Sequence, residues 1–165
     1  MKLVTLLSAA LLTAASLAAG DYDALGKALR QNWPQAATVA VVCDSAHNKG
    51  ALDAIASALP GVKLLVIDVK SQQDVGKALS TLGARRPDAV ILVAGDKVVG
   101  DGTSAASFLI QRLAAAKVPT VATTEAGVRQ GAVLGVGPGT GGKLLANAKV
   151  ALVAGVSLPA GASQI

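Results

Sequence analysis

The sequence predicts an α/β protein, a three-layer αβα sandwich around a five-stranded, mostly parallel sheet. Three observations lead there. From Asp21 onward, short β-branched runs alternate with longer stretches of helical periodicity. The short runs are near-continuous in apolar residues, as strands are when helices cover both faces of a sheet. The units also follow one another at the spacing of strand–helix crossovers, without an internal repeat or a long linker. A chain of 165 residues is long enough for one such domain and a sizeable core.

The elements follow in order. Asp21 or Asp23 caps a first helix to about Gln31, with Leu25, Ala28 and Leu29 on one face, and Pro34 stops it. Thr38 to Cys43 is the first strand. A helix from about Asn48 to Leu59 closes on Pro60-Gly61, and Val62 to Val69 is the second strand. Ser71 or Gln72 opens a helix through about Leu82, and Ala89 to Ala94 is the third strand. A loop rich in Gly and Asp, Gly95 to Thr103, leads to a helix from about Ser104 to Ala116. Val118 to Thr123 is the fourth strand, with Pro119 tolerable only near its start. A helical turn at Glu125 to Arg129 precedes the fifth strand, Ala132 to Val136. A final helix is predicted from about Gly141 to Val153, before a proline-containing tail.

The first twenty residues read as an export signal. Lys2 gives a positive start, Leu3 to Leu17 are apolar, and Ser16-Leu17-Ala18 and Ala18-Ala19-Gly20 suit the small-x-small cleavage rule. The apolar run is shorter than the ~20 residues that span a bilayer, so no stable membrane insertion is expected after cleavage. The expected organisation is a signal peptide over 1–20, an N-terminal helix and linker over 21–37, and a single α/β lobe over 38–165. The expected location is periplasmic or secreted.

Composition excludes several functions. Fifteen Lys and Arg against ten Asp and Glu give a net charge of +5, modest and scattered, and aromatics are 2% of the chain. Tyr22, Trp33 and Phe108 are too few for base stacking, which disfavours nucleic-acid binding. One cysteine and one histidine build neither an internal disulfide nor a Cys/His zinc site, so no metal or cofactor is expected. Cys43, at the end of a buried strand, reads as a small core hydrophobe.

Ligands of open parallel sheets bind beyond the carboxyl ends of the strands, near the point where strand order reverses. That rule selects the loops after each strand, whose carboxylates and hydroxyls suit a small polar or cationic solute. Ser, Asp and Asn at such junctions also serve as ordinary helix caps. Asp96 is the least easily explained that way, because no helix starts directly behind it. His47 lies in the first exit loop without a strained Gly-x-Ser-x-Gly elbow, so a catalytic triad is not expected. Gly137, four residues, then Gly142-Lys143 meets the first part of a phosphate-loop pattern. Leu144 then stands where a metal-binding Ser or Thr belongs.

From Thr38 to about Pro159 the chain resembles one lobe, the carboxyl-terminal one, of the type I periplasmic solute-binding proteins of ABC transporters. Within these it is nearest the tryptophan-type, ABC substrate-binding branch. The stretches that carry the resemblance are Val39 to Asn48, Pro87 to Asp96, Val118 to Glu125 and Gly127 to Gly135, with the Gly142-Lys143 segment after them. The resemblance implies a flavodoxin-like lobe without catalysis and five ligand-binding residues. Ser45 and Asn48 fall in the family's first ligand-facing loop, Asp96 on its aspartate after the third strand, and Thr124 and Glu125 on its polar pair after the fourth. Ala46 departs from the glutamate common at that position, and Pro138, Gly139 and Thr140 replace an acidic and aromatic stretch. The family closes two lobes on its solute, and one lobe covers one face of a ligand. The expected partner is therefore a small polar solute, amino-acid-like in character, or a protein, with a homodimer as one way to close the cleft. Two alternatives stand beside this reading. One is a structural or interaction protein that has lost its ligand, and the other is a phosphate-binding enzyme using the glycine-rich loop.

Overall fold

The structure, a computed structural model, describes residues 20–165. The expected export signal lies outside them except for Gly20, which opens the first helix. Helix α1 (Gly20–Asn32) is followed by β1 (Thr38–Cys43), α2 (Lys49–Ala58), β2 (Lys63–Asp68), α3 (Asp74–Arg85) and β3 (Ala89–Leu92). Next come α4 (Ser104–Ala115), β4 (Thr120–Thr124), the short α5 (Glu125–Arg129) and β5 (Leu134–Gly139). The chain ends with β6 (Leu145–Ala146), α6 (Ala148–Ala154) and β7 (Ser163–Gln164).

The α/β sandwich is as predicted, with a larger sheet. Seven strands run in the order β2-β1-β3-β4-β5-β6-β7. The first five are mutually parallel, β6 turns back antiparallel to β5, and β7 pairs with β6 in parallel. Side chains alternate across the sheet with period two. Val39, Val41 and Cys43 therefore join α1, α2 and α6 in one core layer, while Ala40 and Val42 join α3 and α4 in the other. Val39 to Cys43 are all at most 1% exposed, as a strand flanked on both sides and covered on both faces must be. Strand β2 forms one edge and buries only Ile67 of its six residues.

Helix α1 belongs to the same body as the lobe. Tyr22, Leu25, Ala28 and Leu29 are in the first core layer, and the Arg30 guanidinium donates to the Ala58 carbonyl at 2.8 Å. Gly26 permits the close crossing of α1 and α2, since a Cβ built there would stand 2.1 Å from that carbonyl oxygen.

The last third departs from the expected pattern. Gly141 to Ala146 form a turn and the strand β6 rather than the start of a helix, and α6 begins only at Ala148, capped by the Asn147 side chain on the Val150 N–H. Periodicity from Leu144 onward fits a helix, and only the long-range pairing Leu134↔Ala146 and Gly135↔Leu145 makes Leu145–Ala146 a strand. The phosphate-loop reading loses its context here, because that chemistry needs the glycines to open a helix with a free, positive amino end. Gly135, Gly137 and Gly139 instead lie inside β5, where the register with β4 slips between Ala122↔Gly135 and Thr124↔Gly139. Gly137 takes φ +141° in this bulge, a conformation that favours glycine.

Packing at Gly135 supports two expected outcomes in denaturant unfolding. A Cβ there would stand 2.1 Å from Val128 Cγ2, so Gly135→Ala should cost about 1–3 kcal/mol of stability. Gly76, in α3, has nothing within 4 Å of its Cβ position, so Gly76→Ala should stabilise by roughly 0.5–1 kcal/mol. Equal midpoints for the two variants would contradict this packing.

Candidate functional site

Strand order reverses between β1 and β3, so the loops leaving these strands flank the crevice that open sheets of this kind offer a ligand. One side chain joins them. Asp96 is 4% exposed, and its carboxylate accepts four hydrogen bonds. Oδ2 takes the Asp44 backbone N–H at 2.7 Å and the Asn48 amide at 2.8 Å, both from the β1 loop. Oδ1 takes the backbone N–H groups of Val98 and Val99 at 2.9 and 2.8 Å, which curls its own loop. The Gly100 N–H returns to the Asp96 carbonyl at 3.0 Å.

The neighbouring loops are tied in turn. Ser45 donates both its backbone N–H (2.9 Å) and its hydroxyl (2.7 Å) to Asp68 Oδ1 at the end of β2. Thr123, fully buried, accepts the Ala94 N–H at 2.8 Å and so fixes the end of β3 to β4. Thr124 donates to Asp101 of the β3 loop and caps α5 by accepting the Gly127 N–H. Gly127 makes that contact possible, since a Cβ there would lie 2.7 Å from Asp101 Oδ1. Gln130 completes the link, accepting from the Gly102 N–H and donating to the Thr103 carbonyl and the Ser107 hydroxyl.

The five residues singled out from the sequence therefore have unequal settings. Asn48 and Asp96 touch directly. Ser45 and Thr124 stand on the same rim but bond to Asp68 and Asp101. Glu125 is exposed and pairs with Arg129 one helical turn on, at 2.6 Å. Asp68, Asp101 and Gln130 hold the rim together as much as these five. Asp68 and Asp101 fall among the carboxylates of the strand-exit loops that the sequence selects, but no local signal marks Gln130.

Electrostatics follow from these bonds. The His47 ring, 2.6 Å from Asp44 Oδ2, holds the Asp44 carboxyl below its usual range. The Ser45 N–H, followed by its hydroxyl, does the same for Asp68, with Lys70 adding to it. Burial pushes the Cys43 thiol up to about 12, reinforced by the carboxylates of Asp96, Asp68 and Asp44, so this sulfur is a poor nucleophile at neutral pH. The Ser45 hydroxyl is bonded to Asp68 rather than to His47, so no nucleophile–base–acid line forms around it. Among the described residues, no group of three or more His, Cys, Asp or Glu could hold a metal ion. The arrangement offers hydrogen bonding and charge on a pre-set rim.

Asp96→Ala leaves four donors without their acceptor and should cost at least about 3 kcal/mol in urea unfolding. Unchanged stability would refute the tie between loops. The Asp68 carboxyl has its folded pKa lowered from 3.8, so its contribution to stability is present above that pH and lost as pH falls below it. Ser45→Ala keeps the N–H donor and removes the hydroxyl, so carboxyl NMR should find the Asp68 midpoint raised part of the way towards 3.8.

No family model and no curated protein matches the chain. Solved structures do. A substrate-binding protein with adhesive properties from Clostridium difficile, in its ligand-free, open form, superposes with a TM-score of 0.69 at 16% identity, over 84% of this chain and 57% of that one. The solute-binding protein of an ABC transporter from R. palustris, in complex with benzoate, gives a TM-score of 0.47 at 18% identity, over 68% of this chain and 32% of that one. The chain thus spans little more than half of the first of these proteins. Its fold is that of a substrate-binding protein lobe.

Proposed function

We propose that the protein is an exported, non-catalytic relative of solute-binding proteins that takes a small polar solute on the rim above β1, β3 and β4. The observation that carries this reading is the Asp96 tie across the crevice, which presets the loops before any ligand arrives. Ser45, Asn48 and Thr124 orient the solute, and Glu125 accepts from its amine or hydroxyl. Asp96 acts by positioning, because its two oxygens already accept four donors. A single lobe covers one face of a ligand, so the other wall comes from outside this lobe, with a second copy of the chain or a partner protein as two sources. Among the described residues no helix is long and apolar enough to cross a membrane.

A second reading has its own support. Ser45, Asp96 and Thr124 already satisfy each other's loops, so the rim also suits a docking face that has given up its solute.

Calorimetry against a panel of amino acids and small amines, with sedimentation at the same concentrations, separates the two. The first reading predicts binding in the roughly millimolar range for a monomer, tighter in a dimer, and weakened by Asn48→Ala or Glu125→Ala. No heat from any member of the panel would overturn it, and self-association without solute binding would favour the second.

A further inference from the structure

A cavity lies at the end of the sheet opposite the rim. A groove of about 790 Å³ opens between the carboxyl ends of α3 and α4, beneath the starts of β3 and β4. Its size is in the range of small-molecule sites. Leu79, Leu113, Val118 and Pro119 give it an apolar wall, and Arg86, Arg112 and Lys117 stand around it.

The backbone beneath two of these cations is unusual. Among the described residues, Arg86 (φ 45°) and Lys117 (φ 58°) are the two non-glycine residues in the left-handed region. Each follows a helix end where glycine is the common choice. Arg86 donates its N–H to the Leu82 carbonyl, and the Lys117 and Val118 N–H groups close α4 on Ala114 and Leu113. Arg86 also precedes Pro87, which disfavours helical conformations further. Complementing the helix dipoles does not require these two residues, because Arg85 and Arg112 already occupy the last turns. Strain therefore places two extra cations at one groove.

No ion pair engages Arg86 or Lys117 among the described residues, and Arg112 lies over the Phe108 ring at 5.2 Å. The one acid lining the groove, Asp88, directs Oδ2 to the N–H groups of Ala37 and Thr38, both at 2.9 Å.

We propose that this groove binds a small amphipathic carboxylate, its apolar body against Leu79 and Val118 and its charged end between Arg86 and Lys117. The site is separate from the strand-end rim and does not depend on it.

Octanoate is a suitable probe, with octanol as its uncharged counterpart and inorganic phosphate as the charge without an apolar body. Amide NMR and calorimetry on the full chain should show saturable octanoate binding that shifts Gly83, Lys117 and Val118. Octanol and phosphate should each bind at least about tenfold more weakly. The double variant Arg86→Gly, Lys117→Gly removes both charges and relieves both strained residues. It should melt no lower than the native chain yet bind octanoate at least about tenfold more weakly. Asn48→Ala should leave octanoate binding unchanged, which separates this site from the rim. Octanol or phosphate binding as well as octanoate, or undiminished octanoate binding by the double glycine variant, would overturn the proposal, as would no octanoate binding at all.

Discussion

One buried carboxylate governs the strand-end loops of this molecule. A parallel sheet delivers its loops to the same edge but does nothing to hold them together, because consecutive strands are joined through helices on the faces. Asp96 supplies the missing constraint. Four N–H donors from two loops meet on its oxygens at 2.7–2.9 Å, in surroundings that exclude water. Hydrogen bonds to an ionised acceptor are about twice as strong as neutral ones, and orphaning their donors in a buried site is costly. The rim over β1 and β3 therefore has one geometry. Ser45–Asp68 extends it towards β2, and Thr124–Asp101 with Gln130 extends it towards β4.

That arrangement shapes what the rim can do. Side chains that fix the loops, Asn48 among them, have little capacity left for a ligand, so in the proposed reading recognition rests more on groups on their outer side, such as exposed Glu125. A rigid, polar, open surface loses little entropy on binding, yet it encloses little of a solute. Both facts favour a site completed from outside.

Much of the architecture was legible in the sequence because it rests on local patterns. Thr38 to Cys43 and Ala89 to Leu92 are apolar runs of strand length, and Pro34, Pro60 and Pro119 mark boundaries that the structure keeps. The failures lie where distant pairing decides. Leu145–Ala146 has helical periodicity and becomes a strand because β5 presents an edge to it. Ser163–Gln164 has no strand signal at all and is assigned by β6. At the site, Asp96 stood out as an acid that a helix cap does not explain, and in the structure it holds the Asp44 and Val98 backbones. Asn48, one of its partners, was also singled out, but the other three could not be read, because backbone N–H groups carry no sequence signature. Gln130 escaped notice for a similar reason, being one glutamine at the end of a short helix whose importance comes from distant groups, the Gly102 and Thr103 backbones and the Ser107 hydroxyl.

Native-state amide hydrogen exchange tests the central claim most directly. The account predicts that the N–H groups of Asp44, Val98 and Val99 are protected almost as strongly as those of the central strand β1, since freeing them requires opening the Asp96 cluster. Exchange at these three positions as rapid as at exposed Lys97 would contradict it.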